Sequence, residues 1–121
     1  MNNLTALRDD LRRFAAERDW DQFHSPRNLA AALSVEAAEL LEPFQWLTDE
    51  QSRNLTPEQS LAVSKEMADV LIYLVRLADK LDVDLLEAAR EKIVENARKY
   101  PADKARGSMR KYKQAVLACA H

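Results

Sequence analysis

A chain of 121 residues with 47% hydrophobic composition has the size of one domain with a modest core and leaves little room for a second. Its single cysteine, Cys119, cannot close an internal disulfide, and neither a secretory leader nor an apolar run of bilayer length is found; a soluble, reducing, cytoplasmic setting without membrane contact is expected. The formal net charge of −2 hides an asymmetry, because residues 1–97 carry 11 Lys or Arg against 19 Asp or Glu, whereas residues 98–121 carry seven against Asp103 alone. An acidic body repels nucleic acid, so the basic end argues instead for a phosphate-bearing small molecule held between metal-bound carboxylates and basic side chains.

One Gly and four Pro, with apolar residues recurring at helical spacing, predict an all-α fold. The first helix is expected from Leu4 to about Arg18, with Leu4, Leu7, Leu11 and Phe14 along one side. A polar connection over 19–25 carries Trp20, Phe23 and His24. Ser25 before Pro26 is a helix start, so the second helix is expected from Pro26 to about Glu42, stopping at Pro43. Residues 44–54 form a loop with room for a short helical turn. Thr56, Pro57 and Gln59 repeat the start signal as a capping box, and the third helix extends to about Lys80. A fourth is expected from about Asp84 to Arg98, ahead of Tyr100-Pro101, and Gly107-Ser108 marks a turn. The domain is placed at residues 1–112 and a tail at 113–121. The basic end is expected to order only against a ligand or a neighbouring subunit.

The informative feature is where the acids sit. Residues 29–41 are apolar nearly all round, the mark of a helix buried on most sides, yet they contain Glu36 and Glu39, three apart and therefore on one face. Glu66 and Asp69 repeat this spacing ahead of the apolar run 70–75. Four carboxylates facing a common gap repel one another and lose hydration unless a cation compensates. Oxygen-only donors at this density suit Mg²⁺ or Mn²⁺, whereas zinc more often recruits His or Cys. The alternative is that these glutamates simply face solvent. Two helices this apolar also demand more cover than a small four-helix monomer provides, so a second subunit is expected.

At these residues the chain resembles the all-alpha nucleoside triphosphate pyrophosphohydrolases related to MazG, whose metal motif E-x-x-E, spacer, E-x-x-D is matched by Glu36-Ala-Ala-Glu39, 26 residues, and Glu66-Met-Ala-Asp69. The likeness is closer to the dCTP pyrophosphatase branch. It includes the block from Trp20 through His24, Arg27 and Asn28 to Leu29, then Phe44-Gln45-Trp46, Asp69 through Tyr73 to Arg76, Asn96 through Lys99 and Tyr100 to Pro101, and Arg106-Gly107-Ser108 with Lys111-Tyr112. The resemblance implies a helical subunit paired into a homodimer or homotetramer. It implies hydrolysis of an alpha–beta phosphoanhydride to monophosphate and pyrophosphate, with Mg²⁺ on Glu36, Glu39, Glu66 and Asp69, and Trp20 and Trp46 beside the base. One position departs: mammalian members carry a histidine in the first helix where this chain has Leu11, so preference for cytosine is less determined than the chemistry.

Among the remaining residues, Lys92, Asn96 and Lys99 lie four and three apart on one helical strip suited to a phosphate chain, with Arg106 and Lys111 closing over it; a solvated helix face is the alternative. Arg27 contacts a phosphate or pairs with an acid. Trp20, Phe23 and Trp46 flank helix breaks, where rings stack on a base or cover the bundle ends. His24 contacts base or sugar or makes a structural bond near the helix start. Tyr73, one turn beyond Asp69, is placed to meet the sugar, and Tyr100 to anchor the fourth helix or contact substrate. A metal-bound water is expected to attack phosphorus in line, a glutamate accepting its proton, since no Ser, Cys or His arrangement recommends a covalent intermediate. Rival readings keep the fold but act on dUTP or phosphoribosyl-ATP, or bind metal as a non-catalytic scaffold.

Overall fold

Among the described residues, every helix of 14 residues or more begins at a side-chain oxygen that accepts an otherwise orphaned backbone N–H. In the computed structural model, which describes residues 3–107, Asn3 Oδ1 accepts from Ala6 N at 2.8 Å and opens α1, Leu4–Glu17. Ser25 Oγ accepts from Asn28 N at 3.1 Å, and Pro26 takes the first turn of α2, Pro26–Leu41. Thr48 with Gln51 and Thr56 with Gln59 form two full capping boxes, opening the short α3, Asp49–Arg53, and the long α4, Pro57–Lys80. Asp84 accepts from Glu87 N at 3.0 Å to start α5, Leu85–Lys99, and a single turn, α6, follows at Ala102–Ala105. Each such cap is worth about 1 kcal/mol, which is why these starts are readable residue by residue.

The terminations are equally local. After α1 the chain reverses through Asp19 at φ 53°, after α4 through Asp82 at φ 55°, and Gly107 takes φ 77°. These are left-handed conformations that Asp tolerates and Gly adopts freely. Between α1 and α2 lies one 3-10 turn, Asp21–Phe23. The expected boundaries therefore hold to within a residue. The short turn foreseen in the 44–54 loop is α3, and the described part is helical throughout, with no strand.

The chain divides into two compact units between Val83 and Asp84. In the first, α4 is central: α2 packs along it most extensively and α1 packs on it as well. Ala15, Leu29, Val63, Val75 and Ala78 form the buried apolar centre. The second unit contains α5 and α6, with no fully buried side chain among its described residues.

One expectation needs correcting. Helix α2 is not covered on most sides within this chain: only Leu29 is buried, while Ala30, Ala31, Ala37, Ala38, Val35 and Leu41 are exposed. On α4, Leu61, Met67 and Leu71 are exposed too. The sequence is apolar all round, but a unit of α1, α2, the short α3 and α4 has too few neighbours to enclose two such helices.

Truncating Leu29, the one fully buried large side chain among the described residues, should remove part of the apolar centre of the first unit. Leu29→Ala is expected to lower unfolding free energy by about 2–5 kcal/mol, read as a fall in the urea midpoint with little change in slope.

Candidate metal centre

Glu36 and Glu39 leave α2 one turn apart, and Glu66 meets them from α4 across the packed interface. Each contributes one carboxylate oxygen to a group whose members all lie within 4.8 Å of one another. Asp69 stands a turn further along α4 and is not in that group. Its charge nonetheless acts on both Glu36 and Glu66. Of the four acids expected to converge, three meet and the fourth flanks them.

The three carboxylates sit partly buried, and the consequences are electrostatic. Burial, the contact with Glu39 and the charges of Glu39, Asp69 and Glu66 push the Glu36 carboxyl up to about 7. Burial and the charges of Glu39 and Asp69 raise Glu66 as well. Oε2 of Glu36 and Oε2 of Glu66 are buried without a hydrogen-bond partner among the described residues. Unpartnered anionic oxygen in a partly desolvated gap is costly, and a hard divalent cation is the partner whose chemistry fits an all-carboxylate donor set.

Beside the cluster opens a cavity of about 510 Å³ lined by Glu39, Glu42, Pro43, Glu58, Gln59, Ala62 and Glu66. Glu42 and Glu58 were not singled out in the sequence, although their spacing carried the signal. Glu42 continues the step of three from Glu36 and Glu39, while Glu58, Ala62 and Glu66 lie four apart on one stripe of α4.

The aromatic residues expected beside a base are not core pieces. Trp46 is 86% exposed, Phe23 59% and Trp20 44%; the Trp20 ring leans edge-on against Phe14 at 5.6 Å between centroids. His24 makes a structural bond, to Arg76 of α4. Its Nδ1 lies 3.1 Å from Arg76 Nη2 and 3.3 Å from Arg76 Nε, so it accepts and the ring proton resides on Nε2. Burial and the Arg76 charge lower its pKa. Asn28 gives its side-chain amide to the Phe23 carbonyl at 3.0 Å. Arg27 is exposed and pairs with no acid among the described residues, and Tyr73 is half-buried on α4.

Residues 31–114, which contain both acidic pairs, match the MazG-like family. The chain belongs to that family. This MazG-like chain is 51% identical to dCTP pyrophosphatase 1 of Homo sapiens over 110 residues, covering 86% of the chain and 65% of that protein. The corresponding proteins of Bos taurus and Mus musculus are 48% and 47% identical with the same coverage. It thus spans 65% of the length of these curated relatives. Among solved structures, a pyrophosphatase from Archaeoglobus fulgidus superposes with a TM-score of 0.78 at 40% identity, covering 84% of this chain and 94% of that one.

In the second unit of the MazG-like chain, Lys92, Asn96 and Lys99 share an exposed strip of α5 as their spacing requires. An acid absent from the expected site organises it: Glu95 lies 3.4 Å from Lys92 Nζ and 3.0 Å from Lys99 Nζ, and the two cations hold its carboxyl below the usual range. Tyr100 is half-buried at the end of α5, its N–H donating to the Asn96 carbonyl. Arg106 is exposed, and Lys111 lies outside the described residues.

The raised Glu36 carboxyl has a measurable sign. A folded-state value above the unfolded one means that the native protein holds the extra proton, so this contribution to stability is lost as pH rises from the ordinary glutamate range through about 7. In chelator, the wild-type melting temperature relative to that of Glu36→Gln should fall between pH 5 and pH 8. The comparison between the two proteins cancels the opposite trend from His24. Divalent cation at pH 8 should restore wild type and leave Glu36→Gln nearly unmoved; equal responses would remove Glu36 from the centre.

Proposed function

We propose that the chain is a magnesium-dependent pyrophosphohydrolase that splits a nucleoside triphosphate, most favourably dCTP or a base-modified dCTP, into monophosphate and pyrophosphate. The observation that carries this is the convergence of Glu36, Glu39 and Glu66 with two buried oxygens lacking partners. The relatives named dCTP pyrophosphatase 1 support the substrate.

In this reading Glu36, Glu39, Glu66 and Asp69 hold Mg²⁺, with Mn²⁺ as a substitute. A divalent ion bound there supplies positive charge to the phosphate oxygens and acidifies water. The residues of the chain do the rest. With Glu42 and Glu58 on the cavity wall, the uncompensated site repels a polyphosphate, so cation and substrate bind together. One glutamate takes the proton of the attacking water, and the exposed rings of Trp20 and Trp46 give the base a stacking surface. The Tyr73 hydroxyl faces the sugar in this reading. Phosphate binding by Lys92, Asn96, Lys99, Arg106 and Lys111 rests on their spacing and on the family resemblance. Val35, Leu41, Leu61 and Met67, exposed on the two site-bearing helices, are covered by a second copy of the chain in a dimer or a dimer of dimers.

A panel of natural and base-modified nucleoside triphosphates with Mg²⁺, scored for monophosphate and pyrophosphate, tests the substrate. Release of pyrophosphate from dCTP analogues first is expected; turnover only with dUTP or phosphoribosyl-ATP would redirect the base assignment, and none with any nucleotide would leave a metal-binding scaffold. Glu39→Gln and Asp69→Asn should each lower kcat by about 100-fold or more while keeping the helical circular dichroism of the wild type. Light scattering should report a mass at least twice that of the chain, and a monomer would contradict the shared face.

A further inference from the structure

Arg76 is the one buried charged residue among the described residues, 4% exposed near the end of α4. Its guanidinium reaches in three directions. Nη2 donates to Asp21 Oδ1 at 2.9 Å, Nε and Nη2 face His24 Nδ1, and Nη1 lies 3.7 Å from Asp79 Oδ2. Asp79 is itself held to α1 by Arg12 Nε at 2.7 Å, and Asp21 also takes Lys80. One fork therefore ties the 3-10 turn to α4 and, through Asp79, to α1.

A buried guanidinium is a poor way to gain stability, since apolar side chains of similar volume often do as well or better. What the fork supplies is geometry. It anchors the turn directly after Trp20 and two residues before Phe23 ends it at His24. Other contacts hold the same short stretch: Gln22 Nε2 donates to the Asp19 carbonyl at 3.0 Å, Trp20 N to the Ala15 carbonyl at 3.0 Å, and Asn28 Nδ2 to the Phe23 carbonyl at 3.0 Å. Asp19 adopts its left-handed conformation to begin it. The segment so tightly held presents two large rings, Trp20 and Phe23, that remain substantially exposed. Phe23 and, despite its edge contact with Phe14, Trp20 leave much of their surface uncovered, so burial alone does not repay that anchoring.

We propose that Arg76, through Asp21 and His24, is a positioning residue that presets the aromatic turn for a planar aromatic ligand, which on the nucleotide reading above is the base. Arg76 touches neither the acidic cluster nor the reacting phosphates in this scheme. Its loss acts on recognition and spares the chemical step.

The test uses three variants. Arg76→Lys keeps the charge and loses the fork; Asp21→Asn keeps the shape and loses the ion pairs from a residue whose side chain is 61% exposed, so it folds even where Arg76→Lys does not. Asp21→Glu retains the carboxylate. In the first two, KM for the nucleotide should rise about tenfold, the equivalent of one lost base–aromatic contact, with kcat within about twofold of wild type, and Asp21→Glu should recover most of the loss. Independently of turnover, the fluorescence anisotropy of Trp20, recorded without ligand in a Trp46→Phe background, should fall in the first two variants and return in the third. Unchanged KM and anisotropy in Asp21→Asn, or a kcat loss matching any rise in KM, would overturn the proposal. A wild-type chain that cleaves no triphosphate would overturn the nucleotide reading alone, because the anisotropy still decides whether Arg76 and Asp21 hold the turn.

Discussion

Mutual repulsion of carboxylates across the interface between α2 and α4 is the constraint around which the first unit is built. The two helices pack against each other, with Leu29 of α2 and Val63 of α4 buried, and that packing brings Glu36 and Glu39 toward Glu66 in a gap where burial weakens their solvation. Apolar contact pushes the helices together while charge pushes them apart. The elevated Glu36 and Glu66 carboxyls record that opposition, and a cation bound between the helices converts it into attraction.

The other half of α4 handles charge in the opposite way. Asp79 is held below the ordinary carboxylate range chiefly by Arg12, and Asp21 by Lys80 and Arg76. There each acid has its cation within the chain, and the result is a scaffold that ties α1, the 3-10 turn and α4 together. At the cluster the acids have no such cation among the described residues. A single helix thus separates structural carboxylates, which are paired, from those left available for an external ligand. That contrast singles out the acidic cluster as the candidate site more sharply than acidity alone.

Membership of the MazG-like family agrees with this division. The family match spans both acidic pairs, and the likeness to the Archaeoglobus fulgidus pyrophosphatase extends over nearly all of that structure. The apolar residues that α2 and α4 leave outward belong to the same two helices that carry the acids. In the proposed assembly, a subunit covering them would lie against the helices that carry the acidic cluster. No described helix is long and apolar enough to cross a membrane, so those exposed residues are not read as a bilayer span.

Helix starts were legible because Ser25-Pro26 and Thr56-Pro57-Gln59 act within a single turn, and the acidic pairs because residues three apart on a helix must share a face. Those are local facts, determined by neighbours along the chain. Which carboxylates actually meet was not local: Glu36, Glu39 and Glu66 form the group and Asp69 is not in it, a distinction that the shared spacing of the two pairs does not carry. The Arg76 fork was equally hidden, since Asp21 and His24 lie more than fifty residues from it along the chain and nothing in their spacing couples them. Helix starts and the acids that share a face are written in the order of residues along the chain; which charges are neutralised and which stay unpaired among the described residues emerges on packing, because pairing depends on distances across helices that no periodicity encodes.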